Sequence, residues 1–66
     1  MFISEGTARK FLKEAGASRV SKEAASELQK CMNRYAFEVA SKAVKLADHA
    51  KRKTVTDSDI NLAAVR

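Results

Sequence analysis

One stretch of this chain limits what it can fold into. From Ser21 to Ala50 the sequence contains neither proline nor glycine, and it is rich in alanine, lysine, glutamate and leucine, which are good helix formers. Ser21 suits a helix N-cap, and Glu23 brings negative charge to the first turn, where the helix dipole favours it. The stretch therefore predicts one helix that ends near Ala50 and is about 42 Å long at 1.5 Å per residue.

The apolar residues of this helix lie on two of its sides. One stripe contains Phe37, Ala40 and Val44. The other has apolar residues three and four positions apart, namely Ala25, Leu28, Met32, Tyr35, Val39, Ala43 and Leu46. The rest of the chain is too short to cover both sides, so we expect a second copy of the chain to supply the cover. The residues expected at the centre of that dimer are Leu28, Met32, Tyr35, Phe37 and Val39.

A short helix is predicted ahead of the long one. It runs from Ser4 or Glu5 to Glu14 and ends at Gly16, a residue suited to the left-handed conformation that terminates helices. Its apolar residues follow the spacing of a single buried stripe, which consists of Ala8, Phe11, Leu12 and Ala15.

A third helix is predicted after the long one. Residues 53–55 form a short extended piece in this interpretation, because Thr54 and Val55 are β-branched. Thr56 then begins a Thr-x-x-acid sequence related to the capping box, which predicts a helix from Asp57 to about Val65. Its expected buried residues are Ile60, Ala63 and Ala64. The predicted fold class is therefore all-α, with a short, a long and a short helix.

Composition narrows the possible functions. The 66 residues predict a single domain, 1–66, which is marginally stable alone. A net charge of +5 favours a polyanionic partner such as nucleic acid or an acidic membrane surface. Cys31 is the only cysteine, and the sequence shows no metal-ligand cluster, cofactor motif or nucleophile–base constellation, so we expect neither an enzyme nor a small-molecule substrate. No apolar run suits a signal peptide or a membrane span, and a cytoplasmic protein is expected.

Three segments resemble the archaeal-type histones, which are minimal histone-fold proteins of archaea and some bacteria. The segments are AGASRVS (15–21), ASKAVKLADHAKRKTV (40–55) and DSDINLA (57–63). The resemblance implies a histone fold that forms a handshake dimer, in which the long helices cross and the first loop of one copy lies beside the second loop of the other. It also implies sequence-independent binding, bending and compaction of double-stranded DNA in the nucleoid, by dimers that join into tetramers or larger assemblies.

The resemblance also implies roles for individual residues. The residues expected to contact DNA are Arg19, Lys53, Thr54, Lys10 and, more weakly, Arg9 and Lys13. Arg52 and Asp59 are expected to form an ion pair that clamps the second loop to the third helix. Leu46, His49 and Asp59 are expected to join one dimer to another, with His49 donating to Asp59 of the opposing dimer.

Other interpretations stay open. In the alternative interpretation, the loop cations are ordinary solvated charges. His49 then only interacts with the dipole at the C-terminal end of its own helix. The main functional alternative is a histone-fold subunit that dimerises within a larger complex and touches DNA little. A heterodimer with a paralogue, in place of a homodimer, also stays open. The long central helix does not fit a helix-turn-helix regulator, and the small aromatic content disfavours a membrane-surface helix. Glu14 and Asp48 are both acidic where the family pairs opposite charges, which argues against long filaments of stacked dimers.

Overall fold

The computed structural model describes residues 2–64, which form three α-helices and, within that range, no β-strand. Helix α1 spans Glu5–Glu14, α2 spans Lys22–His49 and α3 spans Asp57–Ala64. These bounds confirm the predicted all-α order of short, long and short helix. The expected end of the third helix near Val65 lies outside the described residues.

The chain divides into two compact units between Tyr35 and Ala36. The first unit contains α1, residues 15–21 (loop 1) and the first part of α2. The second contains the rest of α2, residues 50–56 (loop 2) and α3. Each unit is therefore a helix–loop–helix, and the two loops are equally long.

Loop 1 begins with a tight turn that closes the end of α1. Gly16 has a φ of 113°, in the region where a residue without Cβ meets no steric penalty. Its N–H donates to the Lys13 carbonyl at 3.0 Å, and the N–H of Ala17 donates to the Leu12 carbonyl at 3.0 Å. This pair of bonds is a Schellman motif, and it satisfies carbonyls that the end of a helix otherwise leaves free.

Loop 2 begins with the same turn, but lysine takes the place of glycine. Lys51 has a φ of 60°, and its N–H donates to the Asp48 carbonyl at 2.9 Å. The N–H of Arg52 donates to the Ala47 carbonyl at 2.9 Å. A residue with a Cβ costs roughly 1–2 kcal/mol in this backbone region, so loop 2 contains a strained position that loop 1 lacks.

Both loops end on a hydroxyl that caps the next helix. Ser21 Oγ accepts a hydrogen bond from the N–H of Ala24 at 3.0 Å. Thr56 Oγ1 accepts from the N–H of Asp59 at 3.4 Å, while the Asp59 carboxylate accepts from the N–H of Thr56 at 2.9 Å. The second pair is the reciprocal arrangement of a capping box. Both helices therefore begin at the residues that the sequence indicates.

Side-chain amides fasten the segment ahead of α1 to α2. The Ile3 N–H donates to Asn33 Oδ1 at 2.9 Å, and Asn33 Nδ2 donates back to the Ile3 carbonyl at 3.0 Å. Gln29 Nε2 donates to the same carbonyl at 3.0 Å. Ser4 Oγ accepts from the N–H of Thr7 at 3.1 Å and caps α1. The start of α1 is thus held at a defined place along the first unit.

The apolar interior of each unit is built from alanine. Ala8 and Ala25 have no exposed surface in the first unit, and Ala43, Ala47 and Ala63 are buried in the second. Within residues 2–64 no larger side chain is fully buried. Hydrophobic stabilisation grows with the apolar area removed from water, and a methyl group removes little. The part of the chain that the structure describes therefore lacks the large buried side chains that stabilise most domains.

Large apolar side chains remain exposed on all three helices. Phe37 is 66% exposed and Tyr35 44%, and the other residues expected at the dimer centre, Leu28, Met32 and Val39, are half-buried. Phe11 is 57% and Ile60 41% exposed in the single chain, so one chain alone does not bury these two members of the apolar stripes predicted for α1 and α3. The reason is that alanines fill the apolar interior of each unit, which leaves these larger side chains outside it.

Candidate nucleic-acid interface

Loop 1 presents one free cation. The side chain of Arg19 is exposed and forms no hydrogen bond or ion pair with any residue that the structure describes. The carbonyl groups on either side of it are occupied. Lys13 Nζ donates to the Ser18 carbonyl at 3.0 Å, and Arg9 Nη1 donates to the Val20 carbonyl at 2.9 Å. Arg19 is therefore available to a ligand, while the backbone that carries it is held.

The three cations predicted on α1 fall into two groups. Lys10 is exposed and makes no polar contact among residues 2–64. Arg9 and Lys13 are bound to loop 1, and Arg9 Nη2 also lies 3.9 Å from Glu5 Oε2. The sequence interpretation placed Lys10 near the DNA backbone and treated Arg9 and Lys13 as helix-surface charges with at most a weak attraction to DNA. It missed the intramolecular bonds of Arg9 and Lys13, since nothing in the spacing of residues shows where a loop carbonyl will point.

The residues of loop 2 that are predicted to contact DNA lie in a bend of the backbone. Lys53 and Thr54 are exposed and lie in the bend, so the prediction of an extended piece at these two residues is wrong. The left-handed turn at Lys51 and a bond from Arg52 Nη1 to the Thr54 carbonyl, at 3.0 Å, fold the backbone back toward α3. Lys53 and Thr54 are therefore exposed side chains on a bend whose backbone is hydrogen-bonded to Arg52.

The clamp of loop 2 is a bidentate ion pair. Arg52 Nη1 lies 2.9 Å from Asp59 Oδ2, and Arg52 Nη2 lies 2.8 Å from Asp59 Oδ1. Asp59 is 5% exposed, and its Oδ2 also accepts from the N–H and the hydroxyl of Thr56, at 2.9 and 3.2 Å. Hydrogen bonds from Arg52 and from the Thr56 backbone hold the pKa of Asp59 well below its usual range, because they outweigh its desolvation. The same pair raises the pKa of Arg52.

Two of the three residues predicted to join dimers share a groove in the second unit. The groove has a volume of about 680 Å³, and it is lined by Lys42, Lys45, Leu46, Asp48, His49, Leu62 and Ala63. Asp59 does not line it. Its Oδ2 accepts three hydrogen bonds within the chain and its Oδ1 accepts one, so Oδ1 is the less occupied of the two oxygens.

The sequence interpretation overlooked two residues of these surfaces. Leu62 lines the groove and is 63% exposed, yet the buried side predicted for α3 omits it. The available signal was that its neighbours three and four residues earlier on the helix, Asp59 and Ser58, are polar, because a leucine on a polar side of a short helix is a candidate contact. Lys51 adds a further exposed cation to loop 2 in a strained conformation. No signal in a single sequence shows that a lysine adopts a positive φ.

The described helices include none that is long and apolar enough to cross a membrane. The cations of loop 1 and α1 all belong to the first unit, and those of loop 2 belong to the second. Within each unit the arrangement is a held backbone with free basic side chains, which suits binding to phosphate oxygens more than chemical catalysis.

Comparisons with known proteins point to one family. A sequence model of the family described as "Histone-like transcription factor (CBF/NF-Y) and archaeal histone" matches residues 2–64. The chain is 46% identical over 54 residues to a subunit of the archaeal histone HAN1 from Thermococcus zilligii, a match that covers 82% of this chain and 81% of the relative. Probable archaeal histone 3 of Methanocaldococcus jannaschii gives the same identity over the same length, with the same coverage.

Proposed function

The chain belongs to the family of archaeal histones and histone-like transcription factors, and on this basis we propose that it binds, bends and compacts double-stranded DNA as a dimer. The observation that carries the proposal is the pair of loops of equal length, each with exposed basic or hydroxyl side chains on a backbone that other residues hold in place. Such loops bind phosphate without reading bases, because phosphate contacts position a protein on DNA and carry no sequence information themselves.

The proposed DNA contacts come from both units. Arg19 of loop 1 and Lys53 and Thr54 of loop 2 are exposed, and Lys10 of α1 is a further free cation. Arg19 supplies a guanidinium group that suits phosphate oxygens, and the Thr54 hydroxyl supplies a hydrogen-bond donor. The net charge of +5 per chain adds long-range attraction to a polyanion.

We propose that residues 1–66 act as one histone-fold domain in a handshake homodimer. The exposed aromatic residues Phe11, Tyr35 and Phe37, beside an apolar interior built from alanine, support this assembly. The groove at the end of α2 supports a further step to a tetramer, in which Leu46 supplies apolar contact and His49 donates to Asp59 of the opposing dimer. In the cell such a protein would be associated with the chromosome, and we assign it no catalytic activity.

A second candidate function is that of a histone-fold subunit in a larger complex, with a paralogue as its partner and little DNA contact. The description of the matching family includes transcription factors, and one relative is named as a subunit. The exposed apolar surface suits binding to a second copy of the chain and binding to a paralogue equally. The free cations in both loops favour DNA binding by this chain itself.

Salt dependence tests the proposed function. If a dimer neutralises about six phosphates, the logarithm of the binding constant falls with the logarithm of salt concentration with a slope near −5. The double variant Arg19→Ala with Lys53→Ala should bind unrelated duplexes more weakly by the same factor and with a shallower slope. Fluorescence anisotropy with two labelled duplexes of different sequence measures both quantities.

The control for this titration is Lys30→Ala. Lys30 is an exposed lysine of α2 whose Nζ lies 3.9 Å from Glu27, outside both loops. Its replacement removes one positive charge from outside the loops, where the loop variant removes two from within them, and it should change affinity little. Unchanged binding by the loop variant, or a strong preference for one duplex sequence, would contradict the proposed function.

A further inference from the structure

Arg9 and Lys13 carry a feature that DNA binding by exposed charges does not explain. Both are cations of α1, yet their donor atoms point to the chain's own backbone. Arg9 Nη1 donates to the Val20 carbonyl at 2.9 Å, and Lys13 Nζ donates to the Ser18 carbonyl at 3.0 Å. These two carbonyl groups immediately precede and follow residue 19, the residue whose free guanidinium is proposed to bind DNA.

Loop 2 offers a comparison within the same chain. There Arg52 donates to the Thr54 carbonyl at 3.0 Å and is itself held by Asp59. One internal arginine thus fixes the backbone that carries Lys53 and Thr54. Loop 1 begins with the same turn and ends with the same kind of cap, but it contains no arginine–carboxylate pair of its own.

We propose that Arg9 and Lys13 are positioning residues, which hold loop 1 so that Arg19 meets DNA in a fixed orientation, and that they act on affinity through Arg19. This proposal rests on the proposed DNA binding. Holding a loop before binding lowers the entropy that association must otherwise remove. Arg9 is also a poor phosphate ligand in its own right, since its Nη2 lies 3.9 Å from the Glu5 carboxylate and the side chain is 39% exposed.

A double-mutant cycle separates positioning from direct contact. Arg9→Gln with Lys13→Gln should weaken duplex binding about five-fold in the parent protein, and less than two-fold when Arg19 is already alanine, because residues that act through one group are not additive. In the Arg19→Ala background the slope of affinity against salt should stay unchanged by this double replacement, since Arg9 and Lys13 contact no phosphate themselves. A direct contact would instead lower that slope by roughly 0.9 for each phosphate.

Lys10→Gln is the control for this cycle, and Lys13→Gln alone is the variant that matches it in charge. Lys10 is a neighbouring cation of α1 with no polar contact among residues 2–64, and its loss should weaken binding equally with and without Arg19. Circular dichroism at the same protein concentration checks folding, and Lys13→Gln alone replaces the double variant if the latter does not fold.

The outcomes of this cycle are distinct. A loss that disappears in the Arg19→Ala background supports the positioning role. An equal loss in both backgrounds, or no loss in the parent, overturns it while leaving the proposed function intact. Absence of duplex binding by the parent protein would overturn the proposed function itself, and with it the positioning role.

Discussion

At the scale of single residues, Asp59 holds the second loop to α3. Its carboxylate accepts four hydrogen bonds, two from Arg52 and two from Thr56, and only 5% of its surface is exposed. The prediction that Arg52 and Asp59 lie together came from family resemblance. The bonds to Thr56 follow from the capping sequence alone. Because these hydrogen bonds go to the ionised carboxylate, the folded structure stabilises the charged form of Asp59.

We expect stability to depend on pH through this carboxylate. The folded state holds the pKa of Asp59 below that of the unfolded chain, so the contribution is complete above about pH 5 and decreases as pH falls through about 3.9 and below. The difference in stability between the parent and Asp59→Asn should therefore shrink from pH 6 to pH 3.

Urea unfolding at fixed protein concentration measures that difference. Asp57→Asn is the control, because Asp57 is an exposed carboxylate of the same helix and has no ion pair among residues 2–64. A difference for Asp59→Asn that stays constant from pH 6 to pH 3 would show that the ion pair does not couple to folding.

Lys51 gives a second prediction at this scale. Replacement by glycine should stabilise the protein by about 1 kcal/mol, because it removes the Cβ from a residue with a φ of 60°. Lys51→Ala keeps the Cβ and removes the same charge, so it should give no such gain. Chemical denaturation of both variants checks this, and equal stabilities would mean that the turn carries no strain.

At the scale of elements, sequence reasoning located the helices and the residues that end and cap them, but it missed part of the backbone geometry of the loops. The absence of proline and glycine, the caps at Ser21 and Thr56 and the glycine at position 16 were enough for all three helices. The bend at Lys53 and Thr54 was missed because β-branched residues favour strands only when a partner strand is present. The bonds from Arg9 and Lys13 to loop 1 depend on tertiary geometry, which no local pattern encodes.

The long helix gives the prediction that belongs to this scale. Phe37 is 66% exposed in the single chain and Val39 is half-buried on another side of α2. If a second copy covers both sides, Phe37→Asp or Val39→Asp should abolish folding and not merely dimerisation. Lys42→Asp places the same carboxylate at an exposed position of the helix and should fold. Circular dichroism distinguishes these results, and a folded Phe37→Asp monomer would contradict the proposed role of α2.

At the scale of the whole molecule, the groove at the end of α2 is the surface through which we propose that dimers join. Leu46 and His49 line it together with the exposed Leu62, and its rim carries both lysine and aspartate. An apolar surface that carries both signs of charge is compatible with contact between two copies about a two-fold axis, in which the same residues of both copies take part.

We expect Leu46→Glu with His49→Ala to leave a folded dimer that still binds DNA but no longer protects longer fragments. Neither residue belongs to the proposed DNA contacts in loop 1 or loop 2. Nuclease digestion of the complexes, beside circular dichroism, is the measurement. Lys30→Ala serves again as the control, and unchanged protection by the double variant would place the contact between dimers elsewhere.

The alanine interior links the folding of this chain to its concentration. If the proposed dimer supplies the cover for the larger side chains, the folded fraction rises as the chain becomes more abundant. Under the same condition, scarce chains would be open to proteolysis and plentiful chains would be protected by pairing, so the half-life of the chain would increase with its own supply.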